Sequence, residues 1–149
     1  MEFIEFLQQL QGIFDNTGDP TDYGCTKEEL PAFKRRARNR YPGKPICVVA
    51  DWKWLDARIF DEVNPDEVQE VDVQYLCART ILEDERNRPF NSVMTTALNE
   101  FSEGCIFCTR NTAYILVGSG KRKLVGSDAI DFVFTRKLVF VLPSVHKKH

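Results

Sequence analysis

GCIFCTRNTAYILVGSGKRK, residues 104–123, reads as a β-hairpin followed by a Gly-rich basic tip. Ile106–Thr109 and Thr112–Val117 are β-branched and aromatic runs of strand length. Arg110-Asn111 sits where a two-residue turn belongs, and Asn tolerates the left-handed conformation such turns use. Gly118-Ser119-Gly120 ends the second strand, and Lys121, Arg122 and Lys123 place three cations beyond it.

Two strings in this stretch invite chemical readings. Cys105-x-x-Cys108 has the spacing of a zinc or redox pair. On a strand, however, positions i and i+3 point to opposite faces. A zinc site also needs a second ligand pair, and Cys25, Cys47, Cys77, His146 and His149 are scattered singly. A redox pair needs a helix N-terminus to lower a thiol pKa, and none follows. Gly118-Ser119-Gly120-Lys121 resembles the end of a phosphate loop. The full loop needs a Gly where Ile115 stands and a Ser or Thr where Arg122 stands. Both strings read as ordinary strand and turn, so no metal and no cofactor is expected.

Working outward, Ile46–Ala50 (ICVVA) is a buried strand that Trp52, Trp54 and Leu55 continue. The two Trp side chains share a face, as core or as a stacking surface. Val71, Val73, Tyr75 and Cys77 alternate with polar or smaller residues as a second strand. The acidic run Asp56–Asp72 between them reads as a loop or a short helix near Pro65. Glu83–Pro89 is a charged turn, and Ser92–Phe101 fits strand or helix, with β-branched Val93, Thr95 and Thr96 favouring strand at its start.

Toward the N-terminus, Phe3, Phe6, Leu7, Leu10, Ile13 and Phe14 recur at helical spacing. Asp15–Gly24 is a loop of turn formers. Thr26 and Glu29 have capping-box spacing and open a second helix with a stripe of Leu30, Phe33, Ala37 and Tyr41. Toward the C-terminus, Ser127 caps a short helix carrying Ile130 and Phe134. Lys137–Leu142 reads as a last strand, and residues 144–149 as a disordered tail.

These elements predict a single α+β domain over residues 1–149, helical over 1–43 and β-rich over 44–143. Two N-terminal helices pack on a twisted antiparallel sheet of about five strands in up-and-down order, a topology that can curl into a partly open barrel. The chain of 149 residues is 43% hydrophobic and carries 11 Phe, which suffices for a core without disulfides. The five cysteines have no framework spacing and point to a reducing cytoplasm. No run approaches membrane-helix length, and the acidic, amphipathic N-terminus lacks the features of a signal peptide. No membrane association is therefore expected.

The net charge of −2 hides local patches. Lys34, Arg35, Arg36, Arg38 and Arg40 crowd the second helix, either as a phosphate-contacting surface or as partners for Asp51–Asp72 within the fold. Together with Arg110, Asn111, Lys121, Arg122 and Lys123 they are the candidate binding residues. No residue is assigned a catalytic role, because both His lie in the tail and no His accompanies any Ser, Cys or carboxylate in the part of the chain expected to fold.

KPICVVADWKW (44–54) and TRNTAYILVG (109–118), with the Lys-Arg-Lys that follows, resemble a small family of unknown function from proteobacterial genomes and their prophages. The resemblance covers about Lys44 to Phe132. Family members commonly carry Phe-Glu-Thr-Arg-Asn-Thr where this chain has Phe107-Cys108-Thr109-Arg110-Asn111-Thr112. The Cys at 108 weakens the idea that a carboxylate there is essential. The resemblance implies a phage or prophage setting and a non-enzymatic protein that binds and inhibits a host protein complex, including antiviral defence complexes of the kind anti-CRISPR proteins act on. A nucleic-acid-binding module using the basic helix and hairpin tip is the second reading. A small enzyme using Asp51 or a reactive cysteine is the third.

Overall fold

A computed structural model describes residues 3–64 and 67–136. The fold is α+β, with three helices on a mostly antiparallel sheet of eight strands that does not close into a barrel. In chain order the elements are α1 (Phe3–Phe14), β1 (Asp19–Pro20), α2 (Leu30–Arg40), β2 (Ile46–Asn64), β3 (Glu67–Asp84), β4 (Val93–Met94), β5 (Leu98–Ser102), β6 (Ile106–Thr109), β7 (Ala113–Leu116), β8 (Lys121–Val125) and α3 (Ser127–Arg136). The expected Lys137–Leu142 strand and the tail lie outside the described residues.

The capping box ahead of α2 is realised reciprocally. Thr26 N–H donates to Glu29 Oε1 at 2.9 Å, and Glu29 N–H donates to Thr26 Oγ1 at 3.1 Å. The α2 stripe then packs Leu30, Phe33, Ala37 and Tyr41 onto Ile46, Val48, Ile106, Cys108, Ala113 and Ile115. Strand alternation sends Cys47, Val49, Phe107, Tyr114 and Leu116 to the opposite face, where Trp52, Trp54 and Leu76 join them. A third cluster sets Ile13 of α1 and Ala129, Ile130 and Val133 of α3 against Leu55, Ala57 and Cys77. Both Trp side chains are core.

Four expectations need correction. First, apart from residues 65 and 66, which lie outside the described residues, the acidic run is neither loop nor helix. It is the end of a long hairpin in which Asp56 pairs with Gln74 and the register continues to Asn64 opposite Glu67. The paired backbones satisfy each other along it. Second, the sheet is not wholly antiparallel. Both β7 and β8 run parallel to β2, along Ile46–Val49 and Lys53–Ala57 respectively. Gly118-Ser119-Gly120 is therefore not a reversal but an interruption in one course along β2. Three residues of β2 face four on the other side, and Asp51 takes a left-handed φ of 51° at the break. Third, the Arg110-Asn111 turn forms without a positive φ at either residue. Thr109 holds it instead, through Thr109 N–H to Thr112 O at 2.9 Å and Thr112 N–H to Thr109 Oγ1 at 3.2 Å. Fourth, Cys105 and Cys108 belong to the same core cluster. Cys105 lies in the turn before β6, so strand alternation does not apply to it.

Candidate interaction surface

The basic residues of α2 are spent on carboxylates of the same fold. Lys34 pairs with Glu83 at 2.6 Å, Arg36 with Glu103 at 3.5 Å, Arg38 with Glu85, and Arg40 with Glu100. None of these partners lies in Asp51–Asp72, the expected partner segment. The reason is positional: α2 lies over the sheet where β3 ends and β5 turns, whereas the acidic segment leads away along the hairpin. Arg35 is exposed and has no ion pair among the described residues. Arg110 is exposed at the β6–β7 turn, and the Asn111 carbonyl accepts from Arg86 Nη2 at 2.6 Å. Lys44 Nζ reaches Thr109 O at 2.9 Å and so ties this turn to the end of α2.

Lys121, Arg122 and Lys123 sit apart from that group. Lys121 Nζ donates to Asn16 O and Lys123 Nζ to Thr17 Oγ1. Arg122 makes a two-point pair with Asp56 and lies 5.0 Å over the Trp54 ring. The two lysines thus fasten the segment after α1 onto β8.

Lys53 completes this fastening and was invisible as a site residue in the sequence. It lies between two core Trp residues, yet is itself only 5% exposed. Its ammonium donates to Gly12 O at 2.7 Å, Asp15 O at 2.9 Å and Asp15 Oδ1 at 3.3 Å. Three donors meet three acceptors at the C-terminal end of α1, where carbonyls lack helical partners and a cation suits the helix dipole. Burial lowers the Lys53 pKa, and the Asp15 contact opposes that shift. Burial also works to raise the Asp15 carboxyl, but hydrogen bonds from Thr17 and Lys53 win and hold it at about 2.

Catalytic groups are sparse. Neither His lies within the described residues. All five cysteines are buried. Burial pushes the Cys47, Cys77 and Cys105 thiols up to about 12 and raises Cys25 and Cys108, so all five stay protonated and poorly nucleophilic near neutrality. Among the described residues no group of three or more His, Cys, Asp or Glu could hold a metal ion. Asp51 Oδ2 accepts from Thr80 Oγ1 at 2.7 Å.

The far end of the β2–β3 hairpin leaves the rest of the sheet behind. Beyond Ala57 on β2 and before Leu76 on β3, no third strand joins the ladder among the described residues. From Arg58 to Asn64 the arm extends about 20 Å at the usual rise of a strand. The core clusters end at Ala57 and Tyr75, and Ile59, Val71 and Val73 beyond them are half-buried. Residues 58–72 contain one cation, Arg58, against Asp61, Glu62, Asp66, Glu67, Glu70 and Asp72. Arg58 contacts Asp72 at 3.2 Å and Glu70 at 3.5 Å across the strands, leaving the arm strongly acidic.

These features define a class: an α+β domain that engages most of its α2 and β8 cations with groups of its own fold and projects an acidic two-stranded arm. No helix among the described residues is long and apolar enough to cross a membrane. The chain belongs to the family of the domain of unknown function DUF6957, whose model matches residues 22–132. The match takes in α2 and all the strands from β2 to β8, so it begins earlier than the motifs at 44–54 and 109–118 indicate. No curated protein and no solved structure matches the chain.

Proposed function

We propose that this protein is a non-enzymatic binding protein of phage or prophage type that engages a host protein complex, with the acidic arm at residues 58–72 as its contact element. The supporting observation is the arm itself. It extends past the core, its outer edges are unpaired among the described residues, and its net charge selects a basic surface. Charge on an exposed hairpin also guards against edge-to-edge aggregation. That need alone does not account for an arm reaching this far past its supporting layer. The proteobacterial and prophage setting suggested by the motifs at 44–54 and 109–118 fits an inhibitor of host machinery, such as an antiviral nuclease complex. A nucleic-acid role for α2 draws less support, since four of its five cations already face carboxylates.

Affinity purification from a proteobacterial host lysate tests the proposal, with wild type set beside a Glu67→Lys, Glu70→Lys, Asp72→Lys variant whose circular dichroism matches wild type. The wild type should retain a stoichiometric partner that salt releases and the variant fails to hold. No partner, or one kept equally by the variant, would overturn it.

A further inference from the structure

A cleft of about 550 Å³ opens beside the break in the sheet, on a different part of the molecule from the acidic arm. Its lining comes from β2 and β3, the end of α1, the β1 segment and the Gly118–Gly120 interruption. The size suits a small metabolite. Phe14 and Pro20 give it apolar surface against which a flat ring can lie, and the buried Ile13, Trp52 and Ala78 complete the lining.

The charges in the cleft do not cancel. Lys53 has all three donors engaged, two of them by Asp15 through its carbonyl and its carboxylate. Lys121 rests on the Asn16 carbonyl, and Asp51 holds the Thr80 hydroxyl. That leaves the Arg79 guanidinium, which is exposed and has no ion pair or hydrogen bond among the described residues. An unengaged guanidinium beside an apolar wall is a two-point receptor for a carboxylate or phosphate. Asp51, one of three non-Gly residues with a left-handed φ among the described residues, lines the same cleft. A non-Gly residue held in that conformation costs about 1 kcal/mol or more, and such strain clusters at ligand sites.

We infer that this cleft binds a small planar anion, an aromatic carboxylate or a nucleoside monophosphate, whose anionic group pairs with Arg79 and whose ring lies against the apolar wall. The inference does not depend on the arm or its partner. The test follows the indole N–H signal of Trp52 by nuclear magnetic resonance while the full chain is titrated with benzoate, with adenosine monophosphate, and with uncharged adenosine. One of the two anions should give a saturable shift that adenosine does not reproduce, and the identity of that anion assigns the headgroup. Arg79→Ala should weaken that binding about tenfold or more, while Arg79→Lys keeps part of it. Failure of both anions to saturate, an equal response to adenosine, or unchanged affinity in Arg79→Ala would each overturn the inference.

Discussion

Replacing Gly120 by Ala should cost far more than its single methyl suggests. A Cβ at this position would lie 2.3 to 2.4 Å from Cδ2, Cε2 and Cε3 of Trp52, about an ångström inside ordinary contact. Trp52 cannot simply move away. It is 3% exposed, packs with Cys47, Val49 and Leu76, and donates its indole N–H to Gly118 O at 3.2 Å. Overpacking of a filled core costs about 1–3 kcal/mol, and losing the indole hydrogen bond adds about 1 kcal/mol. The expected total is about 2–4 kcal/mol, a drop of one to two molar in urea midpoint at a typical slope of about 2 kcal/mol per molar. Urea unfolding followed by far-ultraviolet circular dichroism measures it. Gly118→Ala is the matched control. Nothing lies within 4 Å of its Cβ, but its φ of +76° charges a backbone penalty of about 1 kcal/mol that is independent of Trp52. In a Trp52→Phe background the Gly120→Ala penalty should shrink by more than about 1 kcal/mol, while the Gly118→Ala penalty should not. If Gly120→Ala stays within about 0.5 kcal/mol of wild type, or its penalty is the same in both backgrounds, the close packing of the interruption on Trp52 is refuted.

Lys53→Met keeps the stem and removes the ammonium, leaving Gly12 O and Asp15 O without their donor. The expected loss is about 2–4 kcal/mol, with faster amide exchange confined to the last turn of α1. Unchanged stability would mean that water replaces the ammonium without cost. Asp15 sets an acid dependence. Its carboxyl titrates at about 2 in the fold, below the roughly 3.9 of an unfolded Asp. Its stabilising contribution is therefore present above about pH 4 and lost as pH falls toward 2. Asp15→Asn should be less stable than wild type at neutral pH, and the two stability curves should converge on acidification. Curves that stay parallel down to pH 2 would contradict that assignment.

Much of the fold is legible because local pattern and tertiary demand agree. The i, i+3, i+4 spacing of Phe6, Leu10, Ile13 and Phe14 suits the one face α1 buries. Thr26 and Glu29 satisfy each other's backbone at short range, so their spacing suffices to place the start of the second helix. The strands Ile46–Val49 and Ala113–Leu116 are buried on both faces and read as continuous apolar runs. What is hidden is partnership. Nothing local tells Ala113–Leu116 and Lys121–Val125 to lie parallel to β2 rather than antiparallel to something nearer. The outer hairpin is hidden for another reason. The pairing of Arg58–Asn64 with Glu67–Asp72 is a property of the backbone, which the apolar pattern of the sequence does not report. Lys53 is hidden because a charged residue between Trp52 and Trp54 looks solvent-facing until α1 brings carbonyls to it.

The places where local reading fails also converge in space. Val49 and Trp52 belong to one core cluster although three positions separate them, so the simple alternation of β2 fails across the left-handed Asp51. The Gly118–Gly120 string, which looks like a turn or a broken phosphate loop, is the segment that spans the same break on the neighbouring course. Gly120 lacks a Cβ because Trp52 fills that space, and Trp52 is fixed there by Gly118. Asp51, Trp52, Ser119 and Gly120 all line the cleft that also holds Arg79. A continuous strand course along β2 would have been simpler to build and would have needed neither the two glycines nor the left-handed Asp. Sequences generally keep local preference and global fold in agreement, and depart from that agreement where a site requires it. The break is thus better understood as the device that opens the cleft than as an imperfection of the sheet, and the basic tip beyond it serves to pin α1's following segment along its rim.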